Sequence, residues 1–305
     1  MVHVFIINPV YTEQGYAEAL RDRLSRIPDL TYYVFTTGAA GDEKRLASTI
    51  EDIFEGEQIR IYCCGSTLTA RNVMDGINDI NRIELAIIPT QNVNYLEAFG
   101  HQEAFTDIEA LINGDVTRVD YIRTNHGLAL NNVAFGMESY TYRCYNNLAD
   151  MLIFGRVFPM ILSNLYAIFA TPNYLYSIEY NGHTYTRRAI EISFYNVPIT
   201  ARNVVFSDDW DIADGKVTYI QVSRFGALGR IIYAYKALRK KVIFSEDDPK
   251  NTLVDLSQAR VRHINGVPIW ASLDGELIQA TDWNIEVVRQ GLKLVIPSEV
   301  SNERK

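Results

Sequence analysis

The chain has 305 residues, of which 48% are hydrophobic and 22% charged, a composition typical of a globular protein with two domains. Its formal net charge of −8 argues against a nucleic-acid partner, which would require a basic face. Three cysteines are too few for a disulfide framework and predict a reducing cytosol, and no cysteine and histidine cluster has the spacing of a metal site.

Strands and helices alternate over the first third of the chain. Apolar runs at 2–7, 30–36, 59–63 and 84–88 are each followed by a polar loop and a helical pattern. This alternation predicts an open parallel sheet of Rossmann or flavodoxin type. The first loop carries Asn8-Pro9 instead of a G-x-G-x-x-G sequence, which counts against a dinucleotide site.

Polar loops follow the third and fourth of these strands. Gly65-Ser66-Thr67 follows one strand, and Gln91-Asn92-Val93-Asn94 follows the next after Pro89. Carboxyl ends of parallel strands share one edge of a sheet, where helix N-termini offer free backbone N–H groups, so an anion site is expected there. The alternative is that both loops are ordinary connections, and spacing alone favours this alternative.

The pattern changes near residue 115, where short alternating runs begin to predict an antiparallel β-sandwich or open barrel. Asn181-Gly182 and Asn265-Gly266 each separate two such runs and predict β-hairpins. The predicted domains are residues 1–117, rejoined by a C-terminal strand at about 287–305, and residues 118–286.

Two helical segments interrupt the second domain. Residues 151–170 are strongly apolar, but their uncharged part is shorter than the ~20 residues that span a bilayer. A buried helix, or a helix lining a lipid-shaped cleft, is therefore predicted. Residues 227–241 have one apolar face bordered by basic residues. Such a segment is usually a solvated surface helix, and the alternative is a helix that lies on an anionic membrane.

Six short motifs follow one another along the chain. They are Asn8-Pro9, Cys63 to Leu68, Pro89 to Asn94, Asn131 to Glu138, Ala213-Asp214-Gly215 and Leu273-Asp274-Gly275-Glu276. Their order resembles that of N-P, G-G-D-G-T-L, P-x-G-T-x-N, N-x-x-x-x-G-x-D, a D-G turn and D-G-E in the diacylglycerol kinase catalytic family. Over nearly its whole length the chain thus resembles these lipid kinases, which include bacterial diacylglycerol kinases and sphingosine kinases. The resemblance implies a Rossmann-like or flavodoxin-like domain, a C-terminal antiparallel β-sandwich domain and a ligand cleft between them.

The resemblance also implies a reaction, the ATP-dependent phosphorylation of a lipid hydroxyl such as that of diacylglycerol, with ATP and Mg²⁺ as cofactors. It implies a general base at Asp274 supported by Glu276, with Glu138 and Asp214 structural. The residues Leu273-Asp274-Gly275-Glu276 by themselves favour the alternative, an ordinary β-turn. A cytoplasmic protein is expected, peripheral to the inner membrane face if residues 227–241 contact it. The implied nucleotide-binding residues are Asn8, Pro9, Gly65, Ser66, Thr67, Gln91, Asn92 and Asn94.

The phosphate loops depart from the family pattern. Cys63 and Cys64 replace two glycines, and Gly65, or Ser66 after a one-residue gap, stands at the position of the family's aspartate. The two cysteines are expected to be small apolar residues at the end of a strand. We also expect their side chains to hinder close approach to phosphates and the lost carboxylate to weaken metal binding. In the second loop, Gln91-Asn92 replace Gly-Thr and Tyr95 replaces an acidic residue.

Two hypotheses of function follow from these departures. The chain is an active lipid kinase of the diacylglycerol kinase type, or it is a non-catalytic relative that binds a lipid, a nucleotide or a protein partner in the same cleft. A third hypothesis, an NAD kinase, suits the motifs of the second domain less well.

Overall fold

A computed structural model describes residues 1–39, 41–91, 93–100, 102–148, 157–199, 205–207, 210–223, 225–239, 244, 251–298 and 300. The chain forms two compact units, an N-terminal unit of Met1–Tyr121 with Arg289–Lys305 and a C-terminal unit of Ile122–Val288.

A parallel sheet forms the centre of the N-terminal unit. Its strand order is β15-β4-β3-β1-β2, and the C-terminal part of β15 joins it by pairing Leu294 with Leu85. The predicted parallel sheet is thus confirmed. The elements are β1 (Val2–Ile7), α1 (Tyr16–Leu24), β2 (Tyr32–Thr36), α2 (Asp42–Ile53), β3 (Ile59–Gly65), α3 (Thr67–Gly76), β4 (Ile83–Pro89), α4 (Ile108–Ile112) and β5 (Asp115–Thr124), which continues into the C-terminal unit.

The apolar runs explain why these strands lie inside the sheet. β1 and β3 are buried along their whole length, as expected for parallel strands whose two faces are both covered. Two 3₁₀ helices, Asn94–Phe99 and Gln102–Thr106, connect β4 to α4.

The C-terminal unit is antiparallel, as predicted. Its main strand order is β14-β13-β7-β9-β8-β12-β15, and β10 pairs with β9 and with β11. The elements are β6 (Gly127–Ala129), β7 (Asn132–Gly136), α5 (Met137–Asn147), α6 (Val157–Ala170), β8 (Tyr174–Tyr180), β9 (His183–Tyr195), β10 (Val217–Ser223), α7 (Ala227–Leu238), β11 (Asn251–Leu256), β12 (Gln258–His263), β13 (Ile269–Leu273), β14 (Glu276–Ala280) and β15 (Asp282–Ile296).

One predicted hairpin is confirmed and the other is wrong. β8 and β9 pair across Asn181-Gly182, and both turn residues have positive φ, 49° and 75°, as a tight hairpin turn requires. A turn also forms at Asn265-Gly266, but β12 pairs with β8 and β15, whereas β13 pairs with β14 and β7. The strands β12 and β13 therefore do not pair with each other across this turn.

The apolar segment at 151–170 differs from one of its two predictions. Residues 151–156 lie outside the described part of the chain, and α6 is not a buried helix; a helix lining a lipid-shaped cleft stays a prediction. Among the residues of α6 whose burial is described, only a narrow stripe of Pro159, Ser163 and Ala167 is buried. Seven large apolar side chains between Phe158 and Phe169 are exposed. Among the described residues, no helix combines the length and the apolarity needed to cross a membrane.

Candidate functional site

The predicted nucleotide loops lie side by side at the carboxyl edge of the parallel sheet. The N–H of Asn8 donates to the carbonyl of Cys64 (3.1 Å), and the N–H of Thr90 donates to the carbonyl of Gly65 (3.2 Å). The loops after β1, β3 and β4 are therefore joined by backbone hydrogen bonds. Pro9 and Gln91 are exposed beside them, and Asn92 lies outside the described residues.

Ser66 begins α3 as its N-cap. Its hydroxyl accepts a hydrogen bond from the N–H of Thr69 (3.4 Å), and the hydroxyl of Thr69 accepts one from the N–H of Ser66 (3.4 Å). This reciprocal capping box holds the start of the helix. Thr67, the first helical residue, is half-buried at the positive end of the helix dipole. Ser66 thus has a structural task in addition to the predicted ligand contact.

The capping box also explains why the family's aspartate has no counterpart at Gly65. A Cβ atom on Gly65 would lie 2.4 Å from the Thr69 hydroxyl oxygen and 3.0 Å from its Cβ. Any side chain there would have to displace Thr69 from the first turn of α3. The carboxylate that an ungapped alignment expects at this position therefore has no room.

Cys63 and Cys64 do not project into the loop after β3. The expectation that their side chains hinder the approach of phosphates there is therefore wrong. Both are strand residues of β3, paired with β1 and β4, and both are fully buried. Burial raises the pKa of the Cys64 thiol to about 12 and that of Cys63 well above its ordinary value, so both remain protonated thiols at neutral pH. The two residues act as apolar core side chains.

Asn8 is fixed by a buried carboxylate that the motifs did not indicate. Its Nδ2 donates to Oε1 of Glu43 (2.5 Å), and its Oδ1 accepts from the N–H of Val10 (2.9 Å). Glu43 lies in the first turn of α2 and is only 1% exposed. Its Oε2 has no hydrogen-bond partner within the described part of the chain. An acidic residue in the first turn of a helix is normally solvated. The sequence therefore did not indicate that Glu43 is buried beside Asn8.

The second loop is largely a packing element. Asn94 is buried at the start of the 3₁₀ helix, and Tyr95 is fully buried with its ring 5.9 Å from that of Phe99. Tyr95 thus replaces an acidic residue with a core side chain. A groove of about 360 Å³ in the same unit borders the end of β4 at Pro89 and the loop after β1.

Asp274 lies at the tip of the β13–β14 hairpin in the C-terminal unit. Asp274 and Gly275 form a two-residue turn with positive φ at both positions, 50° and 101°. This geometry favours Asp-Gly. Asp274 is 8% exposed, while Glu276, opposite Leu273 at the start of β14, is half-buried.

The carboxylate of Asp274 accepts three backbone hydrogen bonds. Oδ1 accepts from the N–H groups of Asn131 (3.0 Å) and Asn132 (2.9 Å), and Oδ2 accepts from that of Leu130 (2.5 Å). Two of the predicted motifs, D-G-E and the run that begins at Asn131, are thereby brought together. The carboxylate is fixed in orientation by these donors.

Asn132 connects this carboxylate to a second acidic group. Its Nδ2 donates to Oε1 of Glu138 (2.5 Å), and the hydroxyl of Tyr195 donates to Oε2 of Glu138 (2.6 Å). Gly136 allows α5 to begin against β9, since a Cβ there would lie 2.1 Å from the carbonyl oxygen of Ile190 and its φ is 97°. The glycine of this motif is therefore required by close backbone packing.

Glu191 of β9 is a second buried glutamate beside Glu138, and the sequence motifs did not indicate it. Its Oε2 accepts the N–H of Glu138 (3.0 Å), and its Oε1 accepts the hydroxyl of Ser193 (2.5 Å). Burial raises the pKa of both glutamates, and the neighbouring Glu138 carboxylate raises that of Glu191 further. A single acidic residue inside the apolar run 189–197 was the available signal.

The remaining acidic motif forms a local turn. Oδ1 of Asp214 accepts the N–H of Lys216 (2.8 Å). No group of three or more histidine, cysteine, aspartate or glutamate side chains among the described residues could hold a metal ion.

No family model matches the sequence, and no curated protein matches it. Solved structures from Bacillus anthracis str. Sterne do match. One, described as a "putative diacylglycerol kinase", has 18% identity and a TM-score of 0.70, with 98% of each chain covered. Another, described as a diacylglycerol kinase, has 15% identity and a TM-score of 0.67, with 98% of this chain and 97% of that chain covered.

A third structure, also described as a "putative diacylglycerol kinase" from this organism, has 17% identity, a TM-score of 0.69 and 98% coverage of each chain. The chain has the fold of these diacylglycerol kinases. The fold implied by the six motifs is thereby confirmed. Within this fold, the loops that carry the predicted nucleotide-binding residues follow β1, β3 and β4.

Proposed function

We propose that the chain is a lipid kinase of the diacylglycerol kinase type, which transfers the γ-phosphoryl group of ATP to the hydroxyl of a lipid alcohol such as diacylglycerol. The lipid oxygen forms the new bond to phosphorus, the bond to the ADP oxygen breaks, and Asp274 takes the hydroxyl proton. The observation that carries the proposal is the fixed carboxylate of Asp274 at the tip of its hairpin.

The nucleotide is proposed to bind at the carboxyl edge of the parallel sheet. The N-terminus of α3 at Thr67 offers N–H donors and a positive dipole to phosphates. Magnesium is proposed as the ion that ATP carries. A cytoplasmic location, peripheral to the inner membrane face through residues 227–241, belongs to the same proposal.

The second candidate is a non-catalytic protein that retains the fold to bind a lipid, a nucleotide or a protein partner. The observation that favours it is the closed space at Gly65, where an added Cβ would lie 2.4 Å from the Thr69 hydroxyl oxygen. In this case the protein would bind ATP or a lipid without transferring phosphate.

Titration calorimetry of the full chain with ATP and Mg²⁺ tests the nucleotide part of the proposal. The carboxylate missing at Gly65 removes one charge-assisted contact, worth about 1.5–3 kcal/mol, so ATP binding should be about tenfold or more weaker than in kinases with intact loops. We expect weak but saturable binding. Absence of binding at millimolar ATP would contradict the kinase proposal, and tight micromolar binding would show that other groups, such as Glu43, compensate.

A further inference from the structure

A buried carboxylate lies at the carboxyl edge of the parallel sheet with one oxygen unpaired. Glu43, in the first turn of α2, is 1% exposed, and its Oε1 accepts a hydrogen bond from Nδ2 of Asn8 (2.5 Å). Among the described residues, its Oε2 has no hydrogen-bond partner. Burial removes the hydration of a carboxylate, so an unpaired oxygen lowers the stability of the fold. In native proteins, such an atom is explained by a functional role, a bound water or a bound ion.

The cations nearest to Glu43 in the sequence are paired with other acidic residues. Nζ of Lys44 lies 2.7 Å from Oδ2 of Asp75, and Nη2 of Arg45 lies 3.4 Å from Oδ1 of Asp42. No lysine, arginine or histidine in the described part of the chain forms an ion pair with Glu43. The N-terminus of α2 adds only the partial positive charge of a helix dipole. Within these residues the carboxylate therefore has no full counter-charge.

Glu43 is a neighbour of the proposed phosphate site. The backbone N–H of Asn8 donates to the carbonyl oxygen of Cys64 (3.1 Å), so the residue that Glu43 holds also joins the loop after β1 to the end of β3. Burial, Cys64 and Glu43 together raise the pKa of the Cys63 thiol, so the carboxylate acts electrostatically on the end of β3. Directly after β3, α3 begins, and its N-terminus offers N–H donors to phosphates.

A carboxylate beside phosphate groups is favourable only with a cation between them. The phosphates of ATP and the Glu43 carboxylate repel each other, and this repulsion is strong where water is partly excluded. A divalent cation reverses the effect, because it attracts both anions. Magnesium in nucleotide sites keeps several waters and is held by one or two carboxylates together with the phosphates of the substrate. A single carboxylate with one unpaired oxygen therefore suits this ion.

We propose that Glu43 is the carboxylate that supports the magnesium ion of ATP at this edge of the sheet. The carboxylate missing at Gly65 would have come from the start of α3, where Thr69 fills the space. Glu43 supplies one from the start of α2 instead, held in orientation by Asn8, and offsets part of that loss. Because magnesium gives up its waters reluctantly, Oε2 accepts hydrogen bonds from waters that the ion carries. The inference deepens the proposed function, on which it rests for ATP as the ligand.

Titration calorimetry of the full chain with ATP, in excess Mg²⁺ and separately in EDTA, tests this role. In the parent protein, Mg²⁺ should tighten ATP binding about tenfold or more. Glu43→Gln keeps an oxygen for the Asn8 amide but carries no charge. In this variant the effect of Mg²⁺ should shrink to less than about threefold, because the ion loses its protein carboxylate. Metal-free ATP should bind about threefold more tightly to the variant than to the parent, because the repulsion is removed.

Two further variants separate the charge of Glu43 from its hydrogen bond. Asp52→Asn removes an exposed negative charge from the same helix and should leave both affinities within about twofold of the parent values. Glu43→Ala also removes the hydrogen bond to Asn8 and should weaken binding of ATP with Mg²⁺ at least as much as Glu43→Gln does. Thermal melting checks the fold of each variant. Glu43→Gln should not melt below the parent protein, because it removes a buried charge that has no counter-charge.

The proposal is overturned if Glu43→Gln binds ATP as the parent does both with Mg²⁺ and with EDTA. If only Glu43→Ala then weakens binding, Glu43 acts by holding Asn8 and not through the ion. A parent protein that binds no ATP would overturn this inference together with the nucleotide part of the proposed function. Mg²⁺-dependent binding that Glu43→Gln abolishes, in a protein that transfers no phosphate, would leave the inference intact and count against the kinase.

Discussion

Asp274 and Asn132 are joined by two hydrogen bonds, one accepted by the Asp274 side chain and one between the two backbones. Oδ1 of Asp274 accepts the N–H of Asn132 (2.9 Å), and the N–H of Asp274 donates to the carbonyl of Asn132 (3.1 Å). The side chain of Asn132 then donates to Glu138. The tip of the β13–β14 hairpin and the Glu138–Glu191 pair are therefore parts of one hydrogen-bond network. A substitution at Asp274 should alter the hydrogen bonds of Glu138 through Asn132, and a substitution at Glu138 should alter those of Asp274.

Replacing Asp274 by Asn should lower the stability of the protein. The amide NH₂ group would face a backbone N–H that now donates to a carboxylate oxygen, leaving that donor unsatisfied. The free energy of unfolding should fall by about 1–3 kcal/mol, measured by urea denaturation. Glu276→Gln, two residues along the same hairpin, is the matched control and should cost less. Equal losses for the two variants would contradict the special role of the Asp274 carboxylate.

The Glu138–Glu191 pair should make stability depend on pH. Burial and the neighbouring carboxylate raise the pKa of Glu191 well above 4.5, so the folded protein keeps a proton that the unfolded chain loses. The free energy of unfolding should therefore fall as pH rises from 4.5 toward the folded pKa, by at most about 1.4 kcal/mol per pH unit.

Glu191→Gln, which cannot ionise at this position, tests that dependence. Its stability relative to the parent protein should increase between pH 4.5 and 7, and the difference should shrink below pH 4.5. Glu286→Gln, an exposed change on β15, retains Glu191 and should keep the parent slope. Parallel pH curves for the parent and Glu191→Gln would show that Glu191 is ionised in the folded protein.

Gly65→Ala should destabilise the N-terminal unit. The new Cβ would meet the Thr69 hydroxyl at 2.4 Å, and overpacking of this kind costs about 1–3 kcal/mol. Gly226→Ala, where a Cβ meets nothing within 4 Å, should change stability by less than about 0.5 kcal/mol. In a Thr69→Ala background the cost of Gly65→Ala should become smaller, and a strictly additive double variant would refute the clash.

The parts of the fold that follow from local pattern were predictable. Apolar runs of five to seven residues between helical patterns indicated β1 to β4, and Asn181-Gly182 indicated a turn that only two positive-φ residues make. The motif order then indicated the diacylglycerol kinase fold. Asn265-Gly266 carries the same local signal, but β12 pairs with β8 and β15, and β13 pairs with β7 and, across Asp274-Gly275, with β14. The local signal at Asn265-Gly266 therefore did not decide which strands pair.

The chemistry of the candidate site depended on contacts that the sequence hides. The donors to Asp274 lie 142–144 residues away, and Glu191 meets Glu138 across 53 residues. The orientation of α6 was hidden for a different reason. An almost uniformly apolar helix has no polar face to indicate which side is solvated, so its small-residue stripe was visible only in the structure.

The kinase proposal is best tested by measuring phosphate transfer from ATP to diacylglycerol in anionic vesicles. The parent protein is compared with Asp274→Asn at a temperature below the unfolding temperatures of both. We expect the parent protein to form the phosphorylated lipid. Turnover in Asp274→Asn should fall about 10²–10⁴-fold, because the base is lost. Transfer that is unchanged in Asp274→Asn would contradict the role of this carboxylate. A parent protein that is folded but phosphorylates neither diacylglycerol, sphingosine nor related alcohols would contradict the kinase function itself.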